Sequence, residues 1–135
     1  MAIDIRPLQE SDYDEILLGW WKDWEWQAPP KDALPREGTG GLMVFDDEEP
    51  VCAGFMYLSN SSICWVDWII SNKEYRKPER AECITLLIDS LTYMAKQSGG
   101  KYSYALIKHE KLSKSYEDLG YVKGDSYTSE MIKTL

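Results

Sequence analysis

Asp67 has the most unusual surroundings of any titratable residue in this sequence. It is a single carboxylate inside the apolar run Ile63-Cys64-Trp65-Val66-Asp67-Trp68-Ile69-Ile70. Its neighbours exclude water, and desolvation disfavours a charged carboxylate, so its proton affinity is expected to rise. Such a group can take a proton from an ammonium and leave a nucleophilic amine. A structural reading stands beside that one, in which backbone N–H groups at a strand bulge satisfy the aspartate. Directly downstream lies the basic turn Asn72-Lys73-Glu74-Tyr75-Arg76-Lys77, followed by Arg80. A strand that runs through a basic turn into a helix N-terminus is a place to hold an anion such as a pyrophosphate. Unpaired N–H groups and the helix dipole add to the fixed charges of Arg76, Lys77 and Arg80. The alternative is a solvated, charged helix start.

These residues need elements to position them. Ile3 and Ile5 alternate with polar neighbours in a first short strand. Ser11 is expected to cap a helix whose apolar face is Tyr13, Ile16, Leu17, Trp20 and Trp24, stopped by Pro29-Pro30. Trp21 and Trp26 fall off that stripe and are expected to line an acceptor pocket or an interface. Lys31–Gly41 reads as a loop. Leu42–Phe45 and Val51–Leu58 read as strands joined by the polar turn Asp46–Glu49. Ile63–Ile70 is a central strand, with Trp65, Asp67 and Ile69 on one face. The spacing predicts a helix over Pro78–Gln97 with a buried stripe of Ala81, Ile84, Leu87, Ile88, Leu91 and Ala95. Tyr102–Ile107 reads as a strand and His109–Leu119 as a short helix. Tyr121–Lys123 and Thr128–Lys133 read as a last hairpin. The order is that of one α/β (α+β) domain over residues 1–135, a mixed twisted sheet with helices on both faces.

Composition narrows the function classes. The 135 residues carry a net charge of −8, which disfavours nucleic acid and anionic membrane partners and suits a cationic small-molecule or protein amine. One histidine and three scattered cysteines give no zinc spacing, and Asp46–Glu49 lacks the glycine of a calcium loop, so no metal is expected. Cys52, Cys64 and Cys83 lie on apolar segments and read as reduced core thiols. The opening MAIDIRPL has neither a basic region nor an apolar run of a secretory signal, and the chain is expected in the cytoplasm.

Arg76-Lys77-Pro78-Glu79-Arg80-Ala81, at the start of the long helix, resembles the Arg/Gln-x-x-Gly-x-Gly/Ala motif of the GNAT superfamily of acetyl-CoA-dependent N-acetyltransferases. Its first Arg and last Ala match, while Glu79 stands where the family has glycine. Ser115-Tyr116-Glu117-Asp118-Leu119-Gly120-Tyr121 is similar to the family's Tyr-Glu-Lys-Leu-Gly-Phe signature, and Ile5-Arg6-Pro7-Leu8 with Asp12 is similar to its first strand. Leu34-Pro35, Gly38 and the tryptophan-rich first helix are most similar to small phage-encoded GNAT-like proteins.

The resemblance implies transfer of an acetyl group from acetyl-CoA to a primary amine. Ile70 and Ser71 would pair with the pantetheine arm, and His109, where the family often has Asn, could hydrogen-bond it. Arg76, Lys77, Arg80 and Ala81 would hold the pyrophosphate. Asp67 would deprotonate the amine and Tyr116 would protonate the departing thiolate. GNAT proteins are often dimers, so a homodimer is expected. Glu79 and Glu82 put carboxylates beside the expected pyrophosphate, and Pro78 lacks an N–H. These departures motivate a second expectation, a catalytically weakened GNAT-like module that binds or inhibits a basic protein.

Overall fold

A computed structural model describes residues 2–135. One five-stranded sheet runs in the order β1 (Ile3–Pro7), β2 (Gly41–Asp46), β3 (Glu49–Tyr57), β4 (Ile63–Ser71), β5 (Tyr102–Tyr104). The first four strands are antiparallel neighbours, and β5 joins β4 in parallel, so the sheet is mixed. A parallel partner requires a crossover, and the α2 helix (Arg80–Gln97) supplies it.

Helices cover both faces. On one, Cys83, Leu87, Ile88, Leu91 and Ala95 of α2 pack on Val44, Cys52, Cys64 and Val66. Ala81, expected in the stripe, is exposed in the first turn, and Cys83, four residues before Leu87, is buried instead. The other face holds Leu17, Trp20, Trp21 and Leu34 against Met43, Ala53, Phe55 and Ile70. All three cysteines are free and buried.

The first helix departs from its expected register. Tyr13–Leu17 forms a π-helical turn, continued by α1 (Leu18–Asp23). The wider turn adds a residue and rotates the α1 segment, so Trp21 joins Tyr13 and Leu17 on the buried side. Ser11 caps nothing with its side chain. Asp12 organises the turn instead, accepting from Gln9 N–H at 2.6 Å and pairing both oxygens with Arg6 at 2.8 and 3.0 Å. Burial pushes the Asp12 carboxyl up, but the Arg6 and Gln9 bonds and the Arg6 charge outweigh it, and its proton affinity ends below the usual value. The expected loop contains two 3-10 turns, Lys31–Ala33 and Pro35–Gly38.

Beyond β5 lies the α3 helix (Glu110–Asp118). The expected final hairpin is not formed: residues 122–135 are exposed and hold no strand. A two-stranded ribbon with no face to bury is marginal in water, and the tail buries none. The free edge of β5 is therefore an edge of the whole sheet.

Candidate functional site

The site is made by a change of direction in β4. Ala53 faces Ile70 and Phe55 faces Asp67, so two residues of β4, Trp68 and Ile69, oppose the single residue Gly54. This is a β-bulge, with Trp68 at φ 55°. A bulky residue in the left-handed region is an outlier held by its surroundings. Gly54 makes room for the bulge, since a Cβ there would come within 2.5 Å of Ile69 Cδ1. The bulge reverses side-chain alternation. Ile69 faces the α2 core and Ile70 the opposite one, so Ile69 does not share the Asp67 face as expected.

β4 and β5 pair only from Ile63↔Tyr102 to Trp65↔Tyr104 and then separate. Asp67 stands at the fork. Its Oδ2 accepts from Leu106 N–H at 3.1 Å and its Oδ1 from Trp68 N–H at 3.0 Å. The carboxylate therefore replaces the next ladder bond and props the strands apart, which ends β5 at Tyr104 rather than Ile107. Burial raises the Asp67 proton affinity; the two N–H bonds oppose the rise and Glu130 in the C-terminal tail adds to it.

Tyr116 of α3 reaches the same fork. It is buried, and its hydroxyl donates to the Val66 carbonyl at 2.7 Å. Burial, then the nearby Asp67 and Tyr121, raise its proton affinity, so the phenol stays protonated at neutral pH. Tyr121 packs edge-on against its ring with centroids 4.9 Å apart. Tyr116 thus bonds the carbonyl of the residue that precedes Asp67.

In front of Asp67 lies a cleft of about 350 Å³ lined by Ala33, Tyr57, Trp65, Asp67, Trp68 and Leu106. Trp21 is not on its wall. It is 2% exposed and supports Trp68 from beneath, edge-on at 6.3 Å.

The expected cofactor residues have other engagements. Ile70 is buried. The Ser71 carbonyl accepts from Trp24 Nε1–H at 2.8 Å. Arg80 turns back on its own loop, donating to the carbonyls of Asn72, Lys73 and Tyr75, with its guanidinium 5.8 Å from the Trp24 ring. Lys77 lies 3.7 Å from the buried carboxylate of Asp46, which also accepts from Tyr75 at 2.8 Å. Arg76 is exposed, and Ala81 lies beside Glu82 on a separate open hollow near Ile3. His109 stacks on Trp26 at 5.0 Å, and Trp26 stacks on Trp24 at 5.4 Å. The Trp24–Trp26–His109 stack links the end of α1 to the start of α3, beside the end of β4.

Sequence reasoning missed Trp24, Tyr57, Trp65 and Trp68 as site residues. Trp24 looked like core because its spacing fits the helical stripe. The wall of the cleft was detectable only as a density of rings around Asp67. Among the described residues no group of three His, Cys, Asp or Glu is placed to hold a metal ion, and no helix is long and apolar enough to cross a membrane.

No protein-family model matches the chain, and no curated protein matches it by sequence. Solved structures do match. AAC(6')-Iy, in complex with the bisubstrate analogue CoA-S-monomethyl-acetylneamine, aligns with 15% identity and a TM-score of 0.67, over 99% of this chain and 100% of that one. Glucosamine-6-phosphate N-acetyltransferase from Arabidopsis thaliana aligns with 9% identity and a TM-score of 0.66, over 98% and 100%. A transcriptional regulator from Bacillus halodurans C-125 aligns with 12% identity and a TM-score of 0.69, over 97% and 100%. Identities this low establish architecture, and they do so over nearly the full length: the chain has the GNAT fold.

Proposed function

We propose that this protein transfers an acetyl group from acetyl-CoA to a primary amine. The observation that carries the reading is the fork, where the Asp67 carboxylate holds the Leu106 N–H and Tyr116 donates to the carbonyl of the adjacent residue Val66. An ammonium entering the aromatic cleft gives a proton to Asp67. The free amine attacks the thioester carbonyl, the N–C bond forms and the C–S bond breaks. As the C–S bond breaks the nitrogen loses a second proton to solvent. Tyr116 gives its hydroxyl proton to the thiolate and regains one from solvent, so that of the two protons leaving nitrogen one is balanced on sulfur and one is released. In this step Tyr116 exchanges the Val66 carbonyl for the sulfur. Acetyl-CoA supplies the activated acyl group. Arg76 and Lys77 are the exposed cations that would meet its phosphates at the start of α2. The acidic surface and the cleft favour a cationic acceptor, a small molecule or a protein lysine.

One observation favours a second reading. Trp24 already occupies the Ser71 carbonyl, and Arg80 is spent on loop carbonyls, where a cofactor would need both. A module that keeps the fold and binds a basic protein would look like this. Calorimetric titration with acetyl-CoA, with desulfo-CoA as control, separates the two. Micromolar binding that weakens at least tenfold in Arg76→Ala is expected; no binding at millimolar cofactor overturns the transferase.

A further inference from the structure

The cleft before Asp67 has a composition that selects its ligand. Three aromatic side chains, Tyr57, Trp65 and Trp68, line it together with Ala33 and Leu106, and its single charged wall residue is Asp67. No lysine or arginine lines it, and Asp67 has no ion-pair partner among the described residues. The walls are fixed. The Tyr57 hydroxyl donates to the Ala33 carbonyl at 3.0 Å, Trp68 rests on Trp21, and Trp65 lies 5.2 Å from Tyr104. The volume falls within the range of small-molecule sites, about 300–1,000 Å³.

We propose that this cleft binds an alkylammonium head and prefers an N-methylated head to a bare ammonium. Ring faces attract cations, and the attraction is largest where water is excluded. A bare ammonium brings three N–H donors that each need an acceptor. Here the charged acceptor is one carboxylate, and two of its roughly four lone-pair sites already take N–H bonds from Trp68 and Leu106, so fewer sites remain than an ammonium has donors. A trimethylammonium brings no donor and spreads its charge over methyl groups that pack on rings. The inference rests on the walls of the cleft and not on acetyl transfer. A quaternary nitrogen has no lone pair to acylate, so on a transferase such a head would act as an anchor or as a competitor of the amine.

The test is titration of the full chain with choline, ethanolamine and 3,3-dimethylbutan-1-ol, monitored by tryptophan fluorescence and calorimetry. These probes share a two-carbon alcohol and differ in methylation and charge. Choline is expected to bind about 2- to 5-fold more tightly than the neutral isostere, as a cation–π contact in an open cleft requires, and more tightly than ethanolamine. Trp65→Leu should remove most of that difference. Asp67→Asn, which removes the one charge on the wall, should weaken choline and leave the neutral isostere unchanged. Equal binding of choline and the isostere means a merely apolar cleft and overturns the proposal. Tighter ethanolamine binding overturns the methyl preference, and absence of binding by all three overturns the site. An acetyl-CoA titration of the same sample keeps the two readings apart. Choline binding without cofactor binding leaves this site standing and removes the transferase, and the reverse result does the opposite.

Discussion

At Asp67 and Tyr116 the atoms that the proposed chemistry would use are the same atoms that hold the fork together. The sequence offered a base or a bulge-satisfied carboxylate for Asp67, and the geometry contains the bulge, both backbone donors and an open cleft. A group whose folded proton affinity exceeds its ordinary value, 3.8, binds a proton more readily folded than unfolded. Stability contributed by this group therefore falls as pH rises through the window that opens upward from 3.8. If Asp67 is the base, the acid limb of kcat/KM lies above that of an ordinary aspartate. A pH–rate profile checks this, and an acid limb that persists in Asp67→Asn assigns it to another group. Tyr116→Phe leaves the buried Val66 carbonyl without its hydroxyl. Urea unfolding is expected to show a loss of about 1–3 kcal/mol. Transfer should fall at least about 100-fold if the phenol is the acid. A stability loss with unchanged turnover would make Tyr116 purely structural.

At the scale of elements, the strand-turn-helix that reads as an anion site is tied to the first helix through Trp24. Its indole holds Ser71, and Lys73 and Arg80 lie 5.2 and 5.8 Å from its ring. Trp26 and His109 extend the stack across to α3. Trp26 is 39% exposed, so its removal costs little beyond the stacking itself, about 1 kcal/mol. Trp26→Ala is expected to raise acetyl-CoA affinity several-fold by calorimetry if the stack lies across the cofactor's path. Unchanged affinity would place the ring outside that path. The element types were legible in the sequence, because α2 and the strands carry clear apolar periods. The π-turn and the bulge were not. Each adds one residue to a register, and a single added residue leaves composition and approximate period unchanged.

Across the whole molecule, the tail is the part least tied to the fold. Val122, Tyr127, Met131, Ile132 and Leu135 are 81–110% exposed. Deleting residues 122–135 should change folding stability by no more than about 0.5 kcal/mol in urea titration. A larger loss would mean that the tail packs on the domain. The expected homodimer would be built from this tail and the open β5 edge, since unpaired edges and exposed apolar chains are what pairing covers. Sedimentation velocity of full and truncated chains tests it, and a full-length monomer excludes it.

The sequence by itself determined the mixed α/β order, the buried thiols, the anomaly at Asp67 and the GNAT resemblance. All of these depend on residue type and spacing along one strand or helix. Tertiary structure decided that Trp21 is core, that Trp24 closes on Ser71, that Arg80 turns inward and that three rings gather around Asp67. Those outcomes depend on which backbone groups lack partners once the sheet has closed. The Ser71 carbonyl, the Leu106 amide and the carbonyls of the Asn72–Tyr75 turn each recruit a side chain distant or displaced in sequence, because a backbone group withdrawn from water without a partner is costly.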